Sequence, residues 1–547
     1  MSEHLKKHIL LLILTALPAK MAFSGVENLT KLSKEFIKEV HLSSKVSSSK
    51  IEKVIYGHKK VGFFQTDDFK RLKNGVRVTL VPPLFEYPTL FFVKLKSGRI
   101  LEVNSRKFDS PKLPMFQGIN VDLQSGTLGS PFYLTNGALP RKLLINPGFR
   151  TLEPDFYKKN SNRFTFLMVI NRLGEIVWVH VPTIDGSLFG SYISSKKVGE
   201  GYFGIMFGKH SGYFEVVRYD GKVLRKFSSR DAKVPFAMHH DFETIGSKKL
   251  YAVGNRVADL FDYTKNPSDR GKTFLTDTVI GINLENETSK ILRDFLKEFH
   301  PGKTPYYTGD LPGDKKFAVW DKPKVDLDFL HINGVEYVEG KGVVVSFRNI
   351  SKVGLLDESF KNMRWTLGAE PKDTFYIASK EDRFHHQHTP NLLKNGQVLL
   401  FDNAAGKRHS RAIRYRLNKK DGTAIKTWAF RPKERMYAKD RSSVYPLPDG
   451  NYGVYFVNPR MNGSMVSVIP HRDIYYEVSS KSASADAEPA VLSKLVITYG
   501  VASPGYRFMP IDGIGKEKAV TFGEFLKLSQ MMLDKSPQKR SKRKISQ

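Results

Sequence analysis

The chain has no cysteine, which removes disulfides, thiolate metal sites, iron–sulfur clusters and thiol nucleophiles together. Its stability must come from packing. Acidic residues are a minority: 55 Asp and Glu against 87 Lys and Arg leave a formal net charge of +32. Such a field attracts sulfated or phosphorylated substrates, acidic glycans, nucleic acid or a membrane surface without choosing among them. After the N-terminus no stretch is long or apolar enough to span a bilayer, which takes about 20 residues. No HExxH string or acidic cluster at ligand spacing is present. The basic residues carry no recognisable nucleic-acid recognition element, so nucleic acid is not an expected partner.

What is present begins with a secretory pattern. Lys6 and Lys7 precede an apolar run from Ile9 to Leu17, and Ala22-Phe23-Ser24 leads to Gly25. A short apolar run between a basic start and small residues reads as a signal peptide over 1–24, and the mature chain as periplasmic or secreted. The 547 residues then suggest two domains. Leu29, Leu32, Phe36 and Val40 fall at helical spacing and predict one amphipathic helix between Asn28 and Val46. From Ile51, short β-rich runs such as Val76–Val81 and Leu90–Val93 are punctuated by Pro82-Pro83, Pro88 and Ser97-Gly98. That pattern predicts a small β-sandwich-like domain over 25–150, its boundary near Asn146-Pro147-Gly148.

From about Phe164 a longer period sets in. One phrase, two apolar strands around a polar turn, recurs at 169–179, 216–227, 354–367 and 415–430. A second phrase alternates with it, opening at His239-His240, His331, His388 and Ser442-Ser443. Together they make one four-stranded unit. His331 to His388 is 57 residues and His388 to Ser442 is 54, while the longer 91 from His240 to His331 contains the loop-like stretches Asp262–Thr276 and Pro301–Asp321. At roughly 55–60 residues per unit, the chain is expected to be all-β, with a six-bladed β-propeller over 151–515. Residues 516–547 are expected to hold a helix (Val520–Leu533), able to pack on the propeller, and a solvated basic tail, Lys539–Lys544.

In a propeller, residues that open the innermost strands of different blades converge on one mouth of a central channel, however far apart they lie in sequence. His240, His331, His388 and Ser442-Ser443 all hold that position. The stretch Phe384–Asn403 contains His385, His386 and His388 ahead of a hairpin turning at Lys394-Asn395-Gly396. Alternation would put His386 and His388 on one face. Imidazoles are poor packing residues, and their shared repeat position points to chemistry.

These residues resemble the bacterial arylsulfate sulfotransferases. The matching strings are His239-His240-Asp241-Phe242, Asp328–Asn333, Ser346-Phe347-Arg348, Trp365–Gly368, Gln387-His388-Thr389, Phe401-Asp402-Asn403, Ser410-Arg411, Ser442-Ser443 with Leu447–Asn451, and Tyr506-Arg507. The resemblance covers about 160–510 and implies a propeller behind an N-terminal β-sandwich, acting in the periplasm without a cofactor or nucleotide. It implies an aryl sulfate donor and a phenolic acceptor as partners, and leaves a homodimer possible. His388 matches the family's nucleophile; His240, His331, Asn333 and Arg348 match sulfate-binding and acid/base positions; Ser442, Ser443 and Tyr506 match further substrate-binding positions. The cysteine pair of some relatives is missing, and His385 and His386 match no family motif.

On that resemblance, neutral His388 would attack sulfur and carry the sulfuryl group. Arg348 would clamp the sulfate oxygens and depress neighbouring imidazoles. His331 would act as general acid and then base, with Asn333 orienting it and His240 stabilising charge. The residues themselves leave other readings open: a zinc or copper site built from His240, His331, His386 and His388, a propeller that only binds an anionic glycan or an envelope partner, and a quinone-dependent dehydrogenase.

Overall fold

The computed structural model of the chain describes residues 32–111, 119–140, 163–184, 187–188, 193–207, 212–228, 237–245, 248–304, 326–404, 409–461, 471–482, 484–499 and 505–533. The expected signal peptide, the 146–148 boundary, most of the 301–321 insertion and the basic tail lie outside these. Two compact units emerge, one of 37–110 with 512–547, the other of 1–36 with 111–511.

The smaller unit holds two antiparallel sheets. One is three-stranded (Lys38–Ser43, Gly75–Leu80, Phe69–Leu72); the other orders Lys518–Ala519, Gly62–Thr66, Ile51–His58, Thr89–Leu95 and Ile100–Arg106. Of the helix expected over 28–46, the described residues hold Leu32–Glu35, and Lys38–Ser43 is a strand. Val40 and Leu42 alternate with exposed neighbours and pair opposite Val78 and Val76, so a period of two overrides helical spacing. The C-terminal helix spans Phe522–Leu533. It opens on a capping box, with Thr521 Oγ1 accepting from Glu524 N (3.3 Å) and Glu524 Oε2 from Thr521 N (3.4 Å). Its Leu528 is buried with Ile55, Phe63 and Phe92. The helix therefore belongs to the core of the smaller unit.

The larger unit is a β-propeller. Among its described residues, six four-stranded antiparallel sheets follow one another, with inner strands Phe508–Ile511, Ile193–Gly199, Ala237–Ile245, Ile332–Val338, His388–Leu392 and Ser443–Pro446. From Ile193–Gly199 onward each inner strand touches the next, round to Phe508–Ile511, and the ring closes because Phe508–Ile511 pairs with Phe132–Pro140, which itself touches Ile193–Gly199. The fourth and fifth sheets are bridged through Phe375–Tyr376, and Ile119–Ser125 adds a fifth strand outside Val491–Tyr499. Strands 119–125 and 132–140 thus belong to this unit, and its boundary falls at 110/111 where the turn-rich text had suggested about 150. Every recurring phrase becomes a hairpin.

The core lies between successive sheets. Phe214 of the second sheet packs on Phe242 of the third (ring centroids 5.0 Å), Phe295 after the third on Phe347 of the fourth (4.8 Å), and Phe401 of the fifth on Phe456 of the sixth (5.1 Å). Each sheet buries both faces except at its outer strand, as a ring of blades requires. A cavity of about 340 Å³ runs along the axis and takes Lys196, Glu243, Glu336, Asn391, Tyr445 and Met509, one from each inner strand.

Candidate active site

Three successive inner strands break register at the same place, between Met238 and Phe242, Ile332 and Gly334, and His388 and Asn391. Non-glycine residues there hold left-handed backbone: His240 (φ 58°), His331 (φ 50°), Thr389 (φ 43°) and, on the next blade, Ser442 (φ 73°). A bulge inserts a residue, ends strict alternation and re-aims side chains. Such conformations cost about 1–3 kcal/mol each and persist only where surrounding structure holds them.

His388 is buried at the start of its strand. Its Nδ1–H donates to Asn403 Oδ1 (2.7 Å) and to His386 O (3.2 Å). The orientation of the Asn403 amide follows from its own partners, because Nδ2 donates to Ala438 O (2.9 Å) and Arg441 O (3.2 Å). Oδ1 can then only accept. His388 is therefore protonated at Nδ1, and Nε2 keeps its lone pair. Burial, and after it the Arg348 guanidinium, push the His388 pKa down to about 3, so the ring is neutral at ordinary pH.

The motif residues around it form a cradle. Asp402 Oδ1 accepts from His385 N and Ala404 N (2.8 Å each), and Asp402 Oδ2 pairs with Arg411 (2.9 Å). Ser410 Oγ donates to Asn403 O (3.0 Å). Gln387 is buried, its Nε2 donating to Lys352 O (2.7 Å) and its carbonyl accepting from Asn333 Nδ2 (2.8 Å). Asn333 thus ties the fourth inner strand to the residue before His388. His386 sits in left-handed backbone (φ 56°) before the strand begins, so the expected sharing of a face with His388 by alternation does not arise.

His331 and His240 come together across two blades, Nε2 to Nε2 at 3.1 Å. His331 Nδ1 contacts Asp328 Oδ2 (2.5 Å), His240 Nδ1 contacts His239 Nδ1 (2.5 Å), and His239 Nε2 contacts Asp277 Oδ1 (3.0 Å). Asp277 Oδ2 accepts from Ile332 N (2.6 Å). Burial raises the Asp277 carboxyl and His239 opposes the shift. Arg348 follows the neighbouring strand; its backbone N–H donates to His331 O (3.3 Å), and its Nη1 to Asn349 Oδ1 (2.7 Å).

Tyr506 and Arg507 enter from the closing strand. The Tyr506 ring lies 6.4 Å from His240, and burial pushes its hydroxyl well above the usual tyrosine range. Arg507 pairs with buried Asp241 (2.7 Å) and reaches Asn333 O (3.3 Å). Ser442 Oγ accepts from Val457 N (3.0 Å) and Ser443 Oγ from Phe508 N (3.4 Å). His239, Asp277, Asp328 and Asn403 were not among the expected site residues. Asn403 and Asp328 lay inside quoted motifs; Asp277, in an ordinary strand, offered no signal. Among the described residues no group of three or more acidic and histidine side chains has the arrangement of a metal site, and no helix is long and apolar enough to cross a membrane.

The inner strands of this propeller carry a neutral imidazole, an arginine and a linked histidine pair, side chains of the kind that group transfer uses. Residues 122–495 match the family model described as Arylsulfotransferase (ASST), and the chain belongs to that family. It is a transferase acting on sulfuryl groups, with an aryl donor and a phenolic acceptor. No curated protein matches the sequence. Among solved structures it is similar to a protein of unknown function from Bacteroides caccae (11% identity, 66% of this chain and 94% of that one, TM-score 0.33). It is also similar to streptogramin B lyase (9%, 76% and 94%, TM-score 0.30) and to oligogalacturonate lyase in complex with manganese (8%, 70% and 96%, TM-score 0.32). Likenesses this low bear on neither substrate nor mechanism.

Proposed function

We propose that the chain moves a sulfuryl group from an aryl sulfate to a phenol in two half-reactions through a sulfohistidine at His388, without a nucleotide donor. The observation that carries this is the tautomer of His388: Asn403 holds the proton on Nδ1 and leaves the Nε2 lone pair as nucleophile. In the first half-reaction Nε2 attacks sulfur, the N–S bond forms and the S–O(aryl) bond breaks. The departing phenolate takes a proton from the His331–His240 pair. In the second, an acceptor phenol gives its proton to that pair, its oxygen attacks sulfur, and the N–S bond returns its electrons to Nε2. Arg348 neutralises charge on the sulfuryl oxygens. Tyr506, Ser442, Ser443 and Asn333 border the donor and acceptor space. The expected signal peptide supports a periplasmic or secreted site of action, where a nucleotide donor is scarce.

The test is the mass of the intact protein after brief mixing with 4-nitrophenyl sulfate. The native chain should gain one sulfuryl group, mapped to His388 and discharged by phenol, and His388→Ala should gain none. Normal transfer by the variant, or an adduct on another residue, refutes the scheme.

A further inference from the structure

Four contacts run in series: Asp328 to His331, His331 to His240, His240 to His239, and His239 to Asp277. They use both nitrogens of all three rings. A ring nitrogen carries either a proton or a lone pair, so each contact needs one proton to be attractive. Three neutral imidazoles supply three protons, and four contacts need four.

Both ends are pinned by carboxylates, which accept: His331 presents Nδ1–H to Asp328, and His239 presents Nε2–H to Asp277. The inward nitrogens of these two rings are then bare. With both terminal carboxylates ionised, His240 between them donates at both of its nitrogens, as an imidazolium. If it lost one proton, two lone pairs would face each other at 3.1 Å or 2.5 Å.

We propose that this chain of three histidines stores the proton that meets the leaving phenolate, with His239, Asp277 and Asp328 as positioning residues that confine it to His240. The proposal rests on the sulfuryl-transfer reading above. In the first half-reaction the proton between His240 Nε2 and His331 Nε2 passes to the phenolate oxygen as the S–O bond breaks. Three protons remain, His240 keeps Nδ1–H toward His239, and the two Nε2 lone pairs stand open together. That empty contact is the base for the acceptor: it takes the phenol proton as the oxygen attacks sulfur, and four protons are restored. One contact serves as acid when filled and as base when empty.

The surroundings agree. Among the described residues, the charged and titratable groups near the chain include the two terminal carboxylates, Arg348, whose backbone N–H meets His331 O, Tyr506 beside His240, and Asp241, which is held by Arg507 and Lys196 (3.1 Å). Asp241 is already neutralised by its two cations, so the terminal carboxylates offset the charge on His240. The nucleophile is not a link in this chain; its Nδ1 proton is held by Asn403.

Asp277→Asn removes the stored proton and little else. The amide oxygen can still accept from Ile332 N, and its NH₂ would donate to His239 Nε2. His239 would then carry its proton on Nδ1 and donate to His240 Nδ1, while His240 donates Nε2–H to His331. All four contacts are satisfied by three neutral rings. Single-turnover sulfurylation should therefore stay within about threefold of the native rate with 4-nitrophenyl sulfate, whose phenolate leaves unaided. It should fall about a hundredfold or more with phenyl sulfate, whose phenolate needs a proton. Equal losses with both donors, or no loss with either, overturn the proposal. Ring ¹⁵N spectra at neutral pH test the native chain directly and do not depend on the variant folding: one of His239, His240 and His331 should be protonated at both nitrogens. Three neutral rings overturn it. Failure of the His388 adduct to form would refute the transfer scheme while leaving this proton count intact, so the two can fail separately.

Discussion

Replacing Asn403 with leucine keeps the approximate size of the side chain and removes both the acceptor for His388 Nδ1–H and the donor to Ala438 O and Arg441 O. In the native site the alternative tautomer would set the bare Nδ1 against the Asn403 oxygen at 2.7 Å, with no proton between them. A buried hydrogen bond contributes about 0.5–1.5 kcal/mol net, and leaving a buried polar group unpaired costs about 1–3 kcal/mol. His386 O, at 3.2 Å from Nδ1, would keep part of the preference. The loss of tautomer bias is thus about 1.4–2.7 kcal/mol, which is about tenfold to a hundredfold in the population of the attacking form. In stopped-flow release of 4-nitrophenolate the sulfurylation rate constant should fall by that factor, with the donor concentration at half-saturation nearly unchanged. Asn403→Asp supplies the control. A carboxylate keeps the proton on Nδ1 but favours the imidazolium, so the His388 pKa rises from about 3 and activity is lost progressively as pH falls through the new value, while Asn403→Leu is slow at every pH. An unchanged rate constant in Asn403→Leu, or a change confined to half-saturation, would refute the assignment of the nucleophilic nitrogen.

Arg348→Lys should weaken donor binding and slow sulfurylation together, by about a hundredfold in kcat/KM, because a point charge cannot match the planar fork of a guanidinium; steady-state kinetics with 4-nitrophenyl sulfate will tell. Acid should destabilise the propeller from about pH 6.5 downward. Burial lowers His180 to about 4, and His388 sits at about 3. Both are neutral in the fold and protonate more easily once unfolded, so their contribution is present above about 6.5 and is lost as pH falls toward those values, by up to about 1.4 kcal/mol per pH unit per residue. Urea midpoints between pH 7 and 4 measure it, and His180→Gln should flatten the slope. Glu215 behaves oppositely. It is buried, its Oε1 has no hydrogen-bond partner among the described residues, and burial raises it to about 8. Stability is full below the unfolded value near 4.5 and is lost as pH rises toward 8, so the gain in Tm from Glu215→Gln should be larger at pH 8.5 than at pH 5.

The histidines could be located from sequence because repetition converts chain position into spatial position: His240, His331 and His388 lie at or next to the register breaks of three successive inner strands. Their partners were hidden for a physical reason. Asp277 sits inside the strand Thr273–Asn283, where nothing local marks its carboxylate as the end of a histidine chain, and Asn403 matters through the two carbonyls that orient its amide. Left-handed backbone at His240, His331 and His386 also defeats any reading by alternation, since none of the three is glycine. At the N-terminal side, Leu32–Val40 carried two compatible periods, and cross-strand pairing with Gly75–Leu80 decided for a strand. The unit boundary was misread because Ile119–Ser125 and Phe132–Pro140 are held by strands near the far end of the chain.

That long-range closure has a consequence for maturation. Thr135 Oγ1 donates to Arg507 O, 372 residues away, beside the pairing of Phe132–Pro140 with Phe508–Ile511. When the chain is delivered N-terminus first, every other blade can form before this strand arrives, and the first blade waits with its inner edge bare. Arg507 and Tyr506 arrive with the strand that completes it. Turnover is therefore the last property the molecule acquires and the first that fraying of the closing strand would remove, so a chain cut short before residue 506 could keep most of its sheets and yet be inert.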